Sequence, residues 1–336
     1  MSRVILIRVD ASIEIGAGHF VRQIALAQLL IDEGFNVHFL TKTTQKKLLD
    51  QAIKEGIHIQ TMDTIITLEK DAQKTVKHAK KVGAHWVVLD GYPFVTNYQQ
   101  IIKSAGLKLM CVDDIAQCHF VADIVLNQNT TDSTIYSKEP YTQLLMGPEY
   151  ALLRREFRQY SKQKIIKEHV SNIMITMGGA DEGNFTGEIL NQIKEISELK
   201  LIRFHVVLGA LNTHKKLIEL ILSKQNLNGT IYESLSSSKM ISLMEKTDLA
   251  ITAAGSIVWE YIKMQVPFLS ISLYDNQTVI KKCFDEYGIV NPSLNIKDNH
   301  KNLYQALLDV KVRKKIIEQY KKLNVSFLIK NILEIR

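Results

Sequence analysis

A chain of 336 residues exceeds what a single hydrophobic core usually organises, so two domains are expected. Lys plus Arg number 42 against 35 Asp plus Glu, and the formal charge of +7 suits an anionic small-molecule ligand; the basic residues are scattered, without the aromatic interleaving or motif of a nucleic-acid binder. No signal stretch or membrane-length apolar run is present, and Cys111, Cys118 and Cys283 follow neither disulfide nor metal spacing, so a cytoplasmic protein with reduced thiols, no membrane partner and no metal is expected.

The apolar run Val4–Val9 reads as a buried first strand, followed by the loop DASIEIGAGH and by a helix with apolar residues at helical spacing that ends at Gly34. Gly16 and Gly18 let the backbone approach a ligand, and the amides at the helix start favour an anion. His19 at that point can titrate near neutral pH, with Asp10, Ser12 and Arg22 as neighbours able to orient water, the imidazole or a sugar. The loop is not a dinucleotide fingerprint: the third glycine is missing, and the next strand, FNVHFLTKT, ends without an acidic residue for a ribose.

Strands and helices then alternate: FNVHFL, a helix from Gln45 to Gly56, IHIQTM, a helix from Leu68 to Val82, HWVVLD ending at Asp90, a helix from Asn97 to Ala105, LKLMCVDD and ADIVLN. This alternation predicts a parallel sheet with its ligand groups beyond the strand carboxyl ends, where Asp10, Asp90 with Tyr92, Asp113 with Asp114, and Asn127 with Asn129 fall. The segment from Leu144 to Lys164, broken at Gly147 and Pro148, reads as a junction, and the domains are placed at 1–152 and 153–336.

The second series opens with SNIMITM, leading to Gly178, Gly179, Ala180 and Asp181 and a helix from Phe185 to Ile196. It continues through RFHVVLG, helices from Thr213 to Lys224 and Ser238 to Glu245, DLAITA, the turn Ala254, Gly255 and Ser256, helix IVWEYIKMQ and strand PFLSISL. Gly178, Gly179, Gly255 and Ser256 thus follow strands and expose amides suited to a diphosphate. Glu260, one helical turn after Ser256, is placed to accept ribose hydroxyls. Asp275, Asn276 and Gln277 follow the last strand as a polar cluster able to reach a sugar, and a lysine-rich helical tail runs from Asp309. The expected architecture is α/β, with two Rossmann-like domains of parallel sheet facing one another across a cleft.

Taken together, the segments RVDASIEIGAGHFVR, LDGY, VDDIAQCHFVADIVLNQN, GPEYALLRREF, MGGAD, ITAAGSIVWE and DNQ resemble the UDP-2,4-diacetamido-2,4,6-trideoxy-β-L-altropyranose hydrolases of pseudaminic acid biosynthesis. These are similar in turn to the GT-B glycosyltransferase that makes lipid II. The resemblance implies a GT-B fold and water attack at the anomeric carbon with inversion. It also implies His19 as base, Tyr92 and Asn276 in the active site, and Glu260 on the uridine ribose. The expected partner is the UDP-sugar alone, with no cofactor and a monomeric chain. Gly91 stands where the family commonly has histidine, Ile257 where threonine is frequent, and IVNPSLN after Gly288 also departs; these bear on the sugar more than on the reaction type. A glycosyltransferase on the same scaffold is the rival reading, and a sugar-nucleotide-binding protein without turnover the third.

Overall fold

The computed structural model describes residues 3–12, 14–193, 201–271, 278–287, 293–294 and 308–325. These group into two compact units: residues up to Ser12 with His19–Arg155, and Glu156–Val325 together with Ile13–Gly18.

In the first unit, strands β1 (Arg3–Val9), β2 (Phe35–Thr41), β3 (His58–Thr61), β4 (Ala84–Asp90), β5 (Lys108–Val112), β7 (Ile124–Asn127) and β9 (Gln143–Met146) form one parallel sheet in the order β3-β2-β1-β4-β5-β7-β9. Helices α1 (Gly18–Asp32), α2 (Lys46–Lys54), α3 (Leu68–Val82) and α4 (Thr96–Ser104) make the crossovers. The central strands are buried on both faces, as their unbroken apolar runs require, with Ile5, Leu6, Ile7 and Val9 fully enclosed. Helix α3 starts where Thr67 accepts from the Lys70 amide and stops at Gly83, left-handed at φ 71°.

The expected junction differs in one respect. Its first residues are the last strand of this sheet, Leu144 pairing with Val125 and Met146 with Asn127, and the chain breaks only at Gly147. A separate two-stranded ladder, β6 (His119–Phe120) with β8 (Ser137–Lys138), was also unforeseen from sequence.

After the short helix α5 (Arg155–Arg158), the second unit repeats the plan: β10 (Asn172–Thr176), β11 (Arg203–Leu208), β12 (Gly229–Glu233), β13 (Leu249–Ala253), β14 (Phe268–Ile271) and β15 (Ser293–Leu294) lie in the parallel order β12-β11-β10-β13-β14-β15. Helices α6 (Phe185–Ile193), α7 (Lys215–Lys224), α8 (Ser237–Lys246), α9 (Ile257–Lys263), α10 (Thr278–Glu286) and α11 (Val310–Tyr320) accompany it. Each sheet reverses its winding once, between β1 and β4 in the first unit and between β10 and β13 in the second. A doubly wound sheet presents its ligand groups beyond the strand ends at that point.

Candidate active site

The reversal in the first unit sets β1 beside β4, with Val9 opposite Asp90. The chain leaving β1 turns at Gly16 (φ 72°) and enters α1 at Gly18, which puts His19 in the first helical turn, above the end of β4. The His19 Nδ1 lies 2.6 Å from Asp90 Oδ1. Two lone pairs cannot meet at that distance, so a proton lies between them, and with Asp90 held as a carboxylate it sits on Nδ1. The Arg22 Nη2 lies 2.9 Å from the same nitrogen, and this is contact without donation, since Nδ1 has one in-plane site and Asp90 fills it. In the neutral ring Nε2 is then the lone-pair nitrogen, and it makes no hydrogen bond to any described residue. The edge of the ring meets the Tyr92 ring at 89°, with centroids 5.1 Å apart.

Asp90 is buried and saturated. Its Oδ1 accepts from His19 and from Arg22 Nη2 at 2.6 Å, and its Oδ2 accepts from Arg22 Nε at 2.6 Å and Gln23 Nε2 at 2.7 Å. Four donors exhaust a carboxylate's acceptor sites. Burial alone would raise its pKa, but the charge of Arg22 and the His19 contact override this and hold it well below the usual carboxylate range.

Arg22, buried and three residues after His19 on one face of α1, also donates from Nη1 to both oxygens of Asp114, at 2.7 and 2.9 Å. Asn129 Nδ2 donates to Asp114 Oδ1 at 2.9 Å, and the Asn129 amide donates to Asn127 Oδ1 at 2.8 Å. Asn127 Nδ2 donates to the Tyr136 hydroxyl, which donates to Asp113 Oδ2 at 2.8 Å. The polar residues expected beyond β4, β5 and β7 therefore converge into one buried network around Arg22. What sequence reasoning missed was its internal pairing; the usable signal was a charged Arg22 on the buried face of an otherwise apolar helix.

Asp10 is engaged elsewhere: it accepts from Arg8 Nη1 at 2.5 Å, Arg8 Nη2 at 2.7 Å and the Lys42 amide at 2.6 Å. Ser12 lies half-buried in the loop. Gly91 adopts φ 148°, and a Cβ there would stand 3.2 Å from the Phe94 ring, so the residue between Asp90 and Tyr92 suits glycine.

In the second unit, Gly178 turns left-handed at φ 84° after β10, and Asp181 then accepts from the Phe185 amide at 2.7 Å and the Thr186 amide at 3.2 Å. A carboxylate therefore already occupies the start of α6. A side chain on Gly209 would strike the carbonyls of Gly178 and Gly179, so the close approach there demands glycine at 209. Beyond β13, Gly255 and Ser256 lead into α9 without a side-chain cap, and Glu260 is buried one turn on beside Trp259 and Tyr261. Asp275, Asn276 and Gln277 lie outside the described residues. Among the described residues, no cluster of three or more His, Cys, Asp or Glu is arranged to hold a metal ion, and no helix is long and apolar enough to cross a membrane.

No protein-family model matches the chain. It is 26% identical to the Uncharacterized protein MJ1062 of Methanocaldococcus jannaschii over 84% of its own length, but spans only 58% of that protein. It is also 26% identical to the UDP-2,4-diacetamido-2,4,6-trideoxy-β-L-altropyranose hydrolase of Campylobacter jejuni, covering 81% of this chain and 93% of that one. Among solved structures, MurG of Acinetobacter baumannii superposes with a TM-score of 0.63 at 14% identity over 97% of this chain and 96% of its own. The fold is GT-B, and over most of its length the chain is a relative of the UDP-2,4-diacetamido-2,4,6-trideoxy-β-L-altropyranose hydrolases.

Proposed function

We propose that the protein hydrolyses UDP-2,4-diacetamido-2,4,6-trideoxy-β-L-altropyranose, releasing UDP and the free sugar for pseudaminic acid biosynthesis. The observation that carries this reading is the His19–Asp90 pair, with Nδ1 engaged at 2.6 Å and Nε2 left to act. Nε2 takes a proton from water as the water oxygen bonds to the anomeric carbon. The carbon–oxygen bond to UDP breaks with its electron pair leaving on the diphosphate, and attack opposite that group inverts the centre. General-base assistance of this kind contributes about a hundredfold to ten-thousandfold in rate.

In this reading Tyr92 and Asn276 meet the sugar and Glu260 the ribose, roles taken from the sequence resemblance. Gln277 joins the sugar contacts, and the amides near Gly255 and Ser256 meet the leaving-group charge without a metal ion. The Gly178–Gly179 turn has weaker support as a phosphate contact, because Asp181 takes the neighbouring helix amides. The enzyme is read as monomeric and cytoplasmic, with a small-molecule partner only. A glycosyltransferase is the competing reading, favoured by the fold shared with MurG.

Incubation with the UDP-diacetamido sugar in oxygen-18 water separates the two. Label in the released sugar, with UDP formed in the absence of any acceptor, is the expected result. Label in UDP would mean attack at phosphorus, and no release without an acceptor would mean transfer.

A further inference from the structure

We propose that Arg22 and Asp114 are positioning residues that act on His19 through Asp90: the guanidinium locks the Asp90 carboxylate in the orientation that receives Nδ1–H, and Asp114 holds the guanidinium in place. The inference rests on the reading of His19 as the base. Its geometric support is the double fork of Arg22, with Nε and Nη2 on Asp90 and Nη1 on Asp114. A guanidinium pinned at both ends cannot swing, and a carboxylate gripped on both oxygens cannot rotate to favour the other imidazole tautomer. The arrangement is enclosed: the side chains of Asp90, Arg22 and Asp114 are 0%, 4% and 8% exposed.

Charge supplies a second argument. Asp90 and Asp114 bring two negative charges and Arg22 one positive, so the cluster carries one net negative charge while His19 is neutral. Taking a proton onto His19 cancels that excess inside a poorly solvated site, where an uncompensated charge is costly. Without Asp114, the same proton would leave the cluster with a net positive charge. Of the other groups near it, Asp113 bears on this count: its charge couples to Arg22 and Asp114 and adds a second negative charge when it is ionised. Tyr92 meets the imidazole through its ring, Gln23 is neutral, and Asp113 turns to the Tyr136 hydroxyl and to the amides of Ile115 and Ala116. Burial pushes the Asp113 pKa up.

The test combines nitrogen-15 NMR of the His19 ring, assigned with His19→Gln among the ten histidines, with pH profiles of kcat/KM on the UDP-sugar. The unmodified protein is expected to show the Nδ1–H tautomer at His19 on the alkaline side of its titration; finding Nε2–H would overturn the proposal without any variant. Asp114→Asn keeps the shape and removes the charge. It is expected to move the His19 titration and the acid limb of kcat/KM together to lower pH, by about one unit, with kcat down roughly tenfold and KM unchanged. Arg22→Lys keeps a charge but loses the fork, and is expected to give mixed tautomers. An unaltered tautomer and titration in folded Asp114→Asn protein would refute the positioning role. The NMR arm reads the imidazole whether or not this substrate is turned over, so failure of the hydrolase reading stays distinguishable from failure of this one.

Discussion

Two buried networks in the first unit have nearly the same parts and opposite ends. In one, Arg8 donates from Nε and Nη2 to Asp71 and from Nη1 and Nη2 to Asp10. In the other, Arg22 bridges Asp90 and Asp114. The Arg8 network closes on itself: Lys42 Nζ reaches Asp71 at 2.8 Å, the Tyr98 hydroxyl donates to it at 2.7 Å, and two cations balance two carboxylates. The Arg22 network lacks that second cation and ends in an imidazole with one nitrogen unbonded to the described protein. An arginine between two aspartates therefore says little about function until the last member of the chain of contacts is known.

The comparison breaks most readily at His19. His19→Ala is expected to lower kcat by about a hundredfold to ten-thousandfold while leaving UDP affinity by calorimetry and the melting temperature close to those of the unmodified protein. Unchanged turnover would remove the functional half of the contrast. Arg8→Met should do the reverse: it takes the guanidinium from the buried Asp71 and the half-buried Asp10 and is expected to cost about 3–5 kcal/mol in denaturant unfolding. A loss no larger than that of His19→Ala would mean the Arg8 network is not the structural one.

Glu260→Ala tests the reading from the second unit and should weaken UDP binding by roughly tenfold, measured by calorimetry, with any remaining turnover restored at high substrate. A smaller effect is expected from mild acid. Burial alone would raise the pKa values of Asp71 and Asp90, yet their cationic partners hold them below the carboxylate range. Their contribution is present above about pH 4 and is lost only as pH falls through the depressed values, so these two carboxylates do not respond between pH 7 and 5.

Among the groups that do respond are His38 and His78. Burial lowers both, helped by His58 and His78 around His38 and by Lys81 beside His78. The His38 and His58 rings stack with centroids 4.6 Å apart, and the buried His78 Nε2 has no hydrogen-bond partner. A lowered histidine contributes stability above about pH 6.5 that is lost as pH falls through its folded value. The melting temperature should therefore drop modestly from pH 7 to 5, and His38→Gln with His78→Gln should flatten that slope. A slope that survives undiminished in the double variant would assign it elsewhere, first to His205, which burial also lowers.

Much of this was readable before any coordinates, because local periodicity carries strands and helices. The β1–loop–α1 unit, the strand ending at Asp90 and the helix between Thr67 and Gly83 are all specified by short-range pattern. Strand β9 was not readable: four residues beside Gly147 and Pro148 look like a break, and only their register against β7 makes them a strand. His19 and Tyr92 were picked out as separate residues and prove to be in ring contact. The His19–Asp90 bond and the Arg22–Asp114 pair join positions 71 and 92 residues apart, a separation no sequence window spans. The buried Arg8 was hidden inside an apolar strand, where pattern alone cannot tell a paired charge from a solvated one.

A carboxylate held anionic by an arginine fork and a side-chain amide is a poor receiver even for the Nδ1 proton already bonded to it. Asp90 can hold the imidazole, but it cannot serve as the next station in a relay, so whatever proton His19 collects must leave by the nitrogen it arrived on. The rate in mixtures of light and heavy water should then fall linearly with deuterium fraction, the signature of one proton in flight, and a curved dependence would reveal a second.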